Sequence, residues 1–222
     1  MSEAGSVAAG AGLFKPPAPE RVEIMGPAGR LEALIEVPAD FDGRRVAVVC
    51  HPHPLFGGTM RNKVVHMTAR AFQESGLATL RFNFRGVERS EGTFDEGRGE
   101  TEDAMAACDY AQRLWPQATL SLAGFSFGAY VAYQVAARRV IDRLVMMAPP
   151  VQRFDFAATP PPSVPWTVIQ GDQDELVDHR QVLSWAQALK PAPTVRLILG
   201  AEHFFHGRLQ ELKDAIRADQ SV

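Results

Sequence analysis

The sequence has few cysteines, no excess of charge of either sign and no long apolar stretch, and each absence excludes a class of protein. Two cysteines among 222 residues cannot build a disulfide framework. Cys50 ends an apolar run and Cys108 falls in a predicted helix, which favours buried thiols in a reducing compartment. A formal net charge of −3 offers no basic surface for a nucleic acid and no acidic tail for a basic partner.

Membrane and secretory segments are also missing from the sequence. A membrane-spanning helix needs about 20 consecutive, mostly apolar residues, and no such run occurs. The N-terminus has no basic stretch followed by an apolar core, so no secretory signal is recognised. The prediction is a cytoplasmic protein without a nucleic-acid or membrane partner, and its oligomeric state is left open.

Length and composition predict one folded domain. With 222 residues, 46% of them hydrophobic, the chain is large enough for a substantial core. Residues 1–20 are rich in Ala, Gly and Pro and show no periodicity, which is typical of a flexible segment. We expect residues 21–222 to form the single domain.

Hydrophobic periodicity predicts a protein of the α/β class. Residues 21–25 and 30–37 flank a Gly-Pro-Ala-Gly turn and predict an antiparallel hairpin at a sheet edge. Residues 46–50 are continuously apolar, as in a strand covered on both faces. Further strands are predicted at 77–82, 118–123, 141–147, 166–170 and 195–199, and helices at 62–74, 100–114, 129–138, 179–190 and 207–218. Repeated β-α units imply a mostly parallel twisted sheet with helices on both faces.

The central motif is Gly-Phe-Ser-Phe-Gly at 124–128, between a predicted strand and a predicted helix. This context is that of a nucleophile elbow, a strained turn that presents a serine at the start of a helix. Gly124 and Gly128 would let the strand and the helix approach closely. The pattern alone is weak evidence, since it arises by chance in glycine-rich chains. Its strand-turn-helix context makes Ser126 the candidate nucleophile.

A serine hydroxyl needs a base to remove its proton, and the base works best when a carboxylate orients it. In an open α/β sheet such residues must lie just past the carboxyl ends of strands. Asp174 follows the strand predicted at 166–170, and His203 follows the strand predicted at 195–199. We therefore predict Ser126, His203 and Asp174 as nucleophile, base and orienting acid.

Neighbouring acids and histidines have structural interpretations. Asp172 suits a turn that accepts backbone N–H groups, and Asp178 suits the N-cap of the next helix. His206 lies nearer the last helix and is expected to support the site or to be exposed.

An oxyanion intermediate needs backbone N–H donors. The first is predicted at Phe127, the residue after the nucleophile. Pro52 and Pro54 have no N–H, so the second donor is His53 or Leu55, of which Leu55 is preferred. The same segment contains an H-x-H pair of the kind that binds metals, but no third ligand is evident and the prolines explain its stiffness better. Neither a metal nor a cofactor is predicted.

Together these residues resemble the α/β-hydrolase superfamily, in particular its small lidless members such as dienelactone-hydrolase-like and short-chain esterase-like proteins. The resemblance spans about residues 21–218. It includes HPHP at 51–54, GG at 57–58, RFNFRG at 81–86, GFSFG at 124–128, GDQDELV at 171–177 and AEHF at 201–204. The chain order Ser, Asp, His is also that of this superfamily. The resemblance implies the α/β-hydrolase fold and a triad of Ser126, Asp174 and His203 acting on esters or thioesters.

Two departures from the family pattern are evident. Dienelactone hydrolases proper use a cysteine nucleophile where this chain has Ser126, so that particular activity is not predicted. Many members show R-G-x-G-x-S after the strand that precedes the elbow unit. Here Glu88 occupies the second glycine, which predicts a loop of different shape or role.

The predicted substrate is a small or medium carboxylic ester or thioester. Cap domains of this superfamily follow the strand after the elbow helix, where this chain has only the proline-rich residues 148–165. No cap domain is expected, so the cleft is predicted to be open. Aromatic residues are predicted at its edge, although each of them could equally belong to the hydrophobic core: Phe56, Phe125, Phe154 and Phe156. Two alternatives stay open, namely a peptidase or amidase on the same triad and a non-catalytic binding protein that keeps the fold.

Overall fold

A computed structural model of the protein describes residues 15–220, which are built around an eight-stranded sheet. Residues 1–14 of the predicted flexible segment lie outside the described residues, and the first strand already begins at Glu20. The strands are β1 (Glu20–Gly26), β2 (Gly29–Glu36), β3 (Arg45–Cys50), β4 (Ala78–Phe82), β5 (Thr119–Phe125), β6 (Arg143–Met147), β7 (Trp166–Gly171) and β8 (Thr194–Ile198).

The strand order is β1-β2-β4-β3-β5-β6-β7-β8. β1 and β2 form an antiparallel hairpin at one edge, and β2 also runs antiparallel to β4. All other neighbouring strands are parallel. The mostly parallel sheet with an antiparallel N-terminal edge hairpin is thereby confirmed. Because β3 to β8 point the same way, the loops that follow them meet at one edge of the sheet.

Helices cover both faces of the sheet, as predicted. They are α1 (Lys63–Glu74), α2 (Arg98–Leu114), α3 (Phe127–Ala136), α4 (His179–Ala188) and α5 (Leu209–Gln220). α1 and α5 pack on one face, and α2, α3 and α4 pack on the other. Within the described part of the chain, none of the helices combines the length and apolar character that a membrane crossing needs.

α2 begins at Arg98 rather than at residue 100, and side-chain capping explains the difference. The Glu100 carboxylate accepts hydrogen bonds from the backbone N–H groups of Asp95 at 2.9 Å and Gly97 at 2.8 Å. These bonds cap the N-terminus of α2, so the helix begins two residues before the predicted start.

The apolar residues of β3 contribute side chains to two separate hydrophobic cores. Val46, Val48 and Cys50 point to the face under α2 and α3, while Ala47 and Val49 point to the face under α1 and α5. All five side chains are fully buried. This alternation is the reason why residues 46–50 of the strand include no polar residue on either face.

Cys50 and Cys108 are buried and unpaired, as predicted. Burial raises the pKa of the Cys108 thiol to about 12, so this side chain behaves as a small apolar core residue. Between β6 and β7, residues 148–165 form turns and contain no helix. The predicted absence of a cap domain at this position is therefore seen in the fold.

Candidate active site

Ser126 lies in a sharp turn between β5 and α3. Its backbone has φ 53° and ψ −118°, a combination that non-glycine residues avoid. The turn is fixed at its start, because the Ser126 N–H donates to the Met147 carbonyl at 2.8 Å. α3 begins with the next residue, Phe127, so the serine is presented at a helix N-terminus.

Two glycines allow this turn to pack. A Cβ at Gly124 would lie 2.0 Å from the carbonyl oxygen of Gly128, and a Cβ at Gly128 would lie 2.4 Å from the carbonyl oxygen of Cys50. Any side chain at either position would collide with backbone. Gly128 therefore brings the elbow against the end of β3, where the segment containing His51 and His53 begins.

The loops after β7 and β8 bring an acid and a histidine to the serine. His203 Nδ1 lies 2.8 Å from Asp174 Oδ2, and His203 Nε2 lies 3.2 Å from Ser126 Oγ. His203 is 3% exposed, and the side chain of Asp174 is fully buried. With Nδ1–H donating to the carboxylate, Nε2 is left to accept from the serine hydroxyl. Of the three residues predicted from the sequence, His203 thus contacts both Ser126 and Asp174.

The Asp174 carboxylate is held in a dense set of hydrogen bonds. Oδ1 accepts from the backbone N–H groups of Leu176 at 2.9 Å and Val177 at 2.8 Å, and Oδ2 accepts from Gln170 Nε2 at 2.9 Å. Burial alone would raise the pKa of this carboxyl group. The bonds from His203 and the two backbone N–H groups outweigh burial and hold the pKa below its ordinary value. Asp174 is therefore an ionised, fixed acceptor.

The remaining acids play the structural parts that the sequence indicates. Asp172 Oδ1 accepts the Gly200 N–H at 2.6 Å and so joins the loops after β7 and β8. The Asp178 side chain caps α4 by accepting the Arg180 N–H at 2.9 Å. His206 is exposed and pairs with Glu202.

His51 of the H-x-H pair is fully buried and has both ring nitrogens occupied. Nδ1 lies 2.6 Å from the Pro52 carbonyl, which makes it the donor, and Nε2 accepts the Phe84 N–H at 3.0 Å. Burial lowers the pKa of His51 to about 3. The ring is a neutral link between the segments that follow β3 and β4, and neither nitrogen is free to bind a metal.

The two predicted oxyanion donors differ in their hydrogen bonding. The N–H of Phe127 belongs to the first residue of α3, where intrahelical acceptors are lacking. The N–H of Leu55 instead donates to His53 Nδ1 at 3.2 Å, and Leu55 does not line the cleft at Ser126. His53 does line this cleft, and within residues 15–220 its own N–H has no acceptor. These contacts favour His53 over Leu55 as a candidate for the second donor.

A cleft of about 480 Å³ opens above Ser126. Its walls are mainly apolar and aromatic, formed by Pro52, His53, Phe56, Gly57, Gly58, Asn62, Phe127, Pro150, Arg153, Phe154, Leu176, Val177, His203 and Phe204. The predicted cleft residues Phe56 and Phe154 are among them. Phe125 and Phe156 are not, contrary to the sequence prediction. Phe125 is fully buried beside the His203 ring, 5.1 Å between centroids, and Phe156 packs in the core.

Glu88 adopts the backbone conformation that a glycine would have at this position. Its φ is 49°, in the left-handed region. Its carboxylate accepts from Asn83 Nδ2 at 2.9 Å and from Arg61, and Met60 N–H donates to the Asn83 amide oxygen at 2.8 Å. The loop therefore keeps a glycine-like turn and uses the carboxylate to bind the segment that leads into α1.

Gln170 and Arg153 are among the site residues that the sequence reasoning misses. Gln170 supports Asp174, and its only sequence signal is an amide at the end of an otherwise apolar strand. Arg153 lines the cleft from the segment after β6. Its position three residues after a Pro-Pro pair carries no pattern that would have separated it from other surface arginines.

Comparisons with known proteins agree with this geometry. A family model described as an alpha/beta hydrolase domain matches residues 47–218. An uncharacterized protein of Rickettsia prowazekii is 38% identical over 201 residues, which cover 86% of this chain and 84% of that protein.

Solved structures of similar proteins give the same result. An alpha-beta serine hydrolase homologue from Coxiella burnetii is 44% identical, with a TM-score of 0.87 over 90% of this chain and 96% of the other. A Xanthomonas campestris protein, described as an α/β serine hydrolase without a lid, is 41% identical, with a TM-score of 0.87 over 93% of this chain and 95% of the other. The chain therefore belongs to the alpha/beta hydrolase family and has its serine-hydrolase fold without a lid.

Proposed function

We propose that the protein is a serine hydrolase that cleaves small or medium carboxylic esters or thioesters through an acyl-enzyme intermediate. The observation that carries the proposal is the position of His203, whose two ring nitrogens face the Ser126 hydroxyl and the Asp174 carboxylate. A separation of 3.2 Å between Oγ and Nε2 is at the upper end of the range of about 2.6–3.2 Å in which a side chain takes a proton directly.

In the proposed reaction, Ser126 Oγ attacks the carbonyl carbon while His203 Nε2 takes the hydroxyl proton. Asp174 keeps Nδ1 protonated and stabilises the imidazolium that forms. The imidazolium then gives its proton to the leaving alkoxide or thiolate, and the acyl group stays on Oγ. A water molecule, deprotonated by the same nitrogen, attacks the acyl-enzyme, and the acid is released as Nε2 returns the proton to Ser126 Oγ. Each proton passes through His203 Nε2.

The tetrahedral oxyanion is assigned to the backbone N–H groups of Phe127 and His53. The first is a free donor at a helix N-terminus, and the second borders the cleft without an acceptor of its own within residues 15–220. Both donors are held by rigid backbone, the elbow on one side and a proline-flanked turn on the other. Such preorganised donors stabilise the charge as it develops.

The size of the proposed substrate follows from the cleft. A volume of about 480 Å³ with apolar walls suits an acyl group of modest length. Residues 148–165 form turns only, so they provide no apolar cap that would shelter a long acyl chain.

Steady-state kinetics with three substrates test the proposal. We expect para-nitrophenyl butyrate to be cleaved much faster than para-nitrophenyl palmitate and than the para-nitroanilide of butyrate. Ser126→Ala should lower kcat by about 10⁴- to 10⁶-fold because the covalent route is lost. Ser163→Ala, an exposed serine outside the cleft, is the matched control.

Faster cleavage of the anilide would favour an amidase, and preference for palmitate would contradict the proposed substrate size. A folded wild-type protein that cleaves none of the three substrates would contradict catalysis.

A further inference from the structure

We infer that the substrate carries a carboxylate at a distance from the scissile bond, and that Arg153 binds this carboxylate at the cleft. The inference rests on the proposed hydrolase function and deepens it, because it names the substrate class of the same site.

The charges that line the cleft are of one sign. Arg153 is the single permanently charged side chain among the lining residues described above, and no aspartate or glutamate is found among them. The remaining polar atoms belong to neutral or donor groups such as the Asn62 amide and the histidine rings. A neutral ester would leave this guanidinium without a counter-charge when it covers the cleft.

Within residues 15–220, Arg153 has no carboxylate partner in the free protein. Other arginines are paired, for example Arg81 with Glu36 at 2.7 Å and Arg85 with Asp103 at 2.7 Å. The acid nearest in sequence, Asp155, accepts backbone N–H groups from its own turn instead. The Arg153 guanidinium therefore keeps its hydrogen-bond donors for a ligand.

The backbone that carries Arg153 is held in place. Its N–H donates to the Pro150 carbonyl at 2.9 Å. The next residue, Phe154, stacks on Tyr130 with 4.8 Å between ring centroids and contacts Phe127 at 5.5 Å. Because the backbone is fixed, only the exposed Arg153 side chain has to be ordered when an anion binds.

The Arg153 charge also reaches the catalytic side of the cleft. Burial is the main cause that lowers the pKa of His53, and the positive charge of Arg153 lowers it further. The His53 ring in turn lies 5.0 Å from the ring of Phe127, the residue after the nucleophile. Substrate carboxylate and reacting carbonyl would thus bind in one continuous cleft.

A carboxylate fits better than a phosphate. A single guanidinium pairs with one carboxylate through two parallel hydrogen bonds and neutralises it. A phosphate monoester carries nearly two negative charges at neutral pH, and among the described residues no second permanent cation lines the cleft.

The test compares two esters of equal chain length, para-nitrophenyl hexanoate and the mono-para-nitrophenyl ester of adipate. The readout is the ratio of kcat/KM for the anionic ester to kcat/KM for the neutral one. We expect wild type to favour the anionic ester, and Arg153→Gln to lower this ratio about tenfold, as for loss of a hydrogen bond to a charged group. Arg153→Lys should retain part of the preference.

Arg113→Gln removes the same charge from the far end of α2 and is the matched control. It should keep the wild-type ratio. Rising salt should lower the ratio in wild type and in Arg113→Gln, but much less in Arg153→Gln.

Binding to Ser126→Ala, measured by calorimetry with the adipate monoester, separates this inference from the proposed function. Binding that weakens about tenfold when Arg153→Gln is added supports carboxylate recognition even if wild type shows no turnover. Hydrolysis of both esters with equal kcat/KM in wild type, or equal loss for both in Arg153→Gln, would overturn the inference and leave the hydrolase proposal standing.

Discussion

Two histidine-bearing segments lie at the same edge of the sheet, one after β3 and one after β8, and they differ in what surrounds the ring. His51 is fully buried against the Pro52 carbonyl and the Phe84 N–H. His203 is almost as buried, but its partners are a carboxylate and a hydroxyl. The difference between the two histidines is therefore one of partners and not of burial.

The partners decide what each ring can do. Burial without a counter-charge lowers the pKa of His51 to about 3, and both nitrogens are engaged, so the ring serves only to hold two segments together. A carboxylate on Nδ1, as His203 has, stabilises the protonated ring and leaves Nε2 available for proton transfer. The comparison teaches that a buried histidine is suited to be a base only when an acid is buried with it.

The largest effect on this contrast between His203 and His51 is expected when the carboxylate beside His203 is removed. In Asp174→Asn the side chain keeps its shape but offers an N–H group where His203 needs an acceptor. We expect kcat to fall by about 10⁴-fold because the histidine tautomer is no longer fixed. Asp178→Asn changes the same charge, and asparagine still caps α4. Similar losses in both variants would contradict the role given to Asp174.

Proline substitutions test the segment after β3. The φ of His53 is −55°, which proline accepts, so His53→Pro deletes the N–H with little backbone strain. Compared with His53→Ala, which keeps the N–H, we expect a further loss of about 10²- to 10³-fold in kcat, the effect of one oxyanion donor.

Leu55→Pro removes the N–H that already donates to the His53 ring, and it should have a much smaller effect on kcat. A larger loss in Leu55→Pro than in His53→Pro would restore Leu55 as the oxyanion donor.

The burial of neutral His51 predicts that the stability of the protein depends on pH. The unfolded chain protonates this histidine near its ordinary pKa of about 6.5, whereas the folded protein does so only near pH 3. Between these values the unfolded state binds more protons, so the contribution to stability is complete above about pH 6.5 and is lost as the pH falls. The slope has an upper limit of about 1.4 kcal/mol per pH unit.

Urea denaturation of wild type and His51→Asn from pH 7.5 to 5 measures this slope. We expect the variant to be less stable at pH 7.5 and to lose less stability on acidification than wild type. The exposed His206→Asn is the control and should follow wild type. Parallel curves for wild type and His51→Asn would show that His51 is not the group responsible.

Much of the fold and the three central residues can be predicted because their signals are local. The elbow depends on glycines at fixed spacing, and Asp174 and His203 each follow a recognisable strand. The N–H of Leu55, predicted as an oxyanion donor, donates to the His53 ring, and no sequence pattern indicates this contact.

Strand alternation explains the other error. Phe125 shares its face of β5 with Ala123, under α1 and α5, whereas Phe127 begins α3 and packs in the other core. The alternation of side chains along β5 indicates from the sequence that Phe125 and Ala123 share a face. The support of Asp174 by Gln170, and the cleft position of Arg153, depend on contacts between distant segments and have no sequence pattern.

Labelling with a fluorophosphonate, followed by mass spectrometry of the modified peptide, tests the central claim most directly. The claim is that His203 and Asp174 activate Ser126. It predicts an adduct on Ser126 in wild type and almost none in His203→Ala, with Ser163 unmodified in both. A folded wild-type protein without an adduct, or equal labelling of Ser126 in His203→Ala, would contradict it.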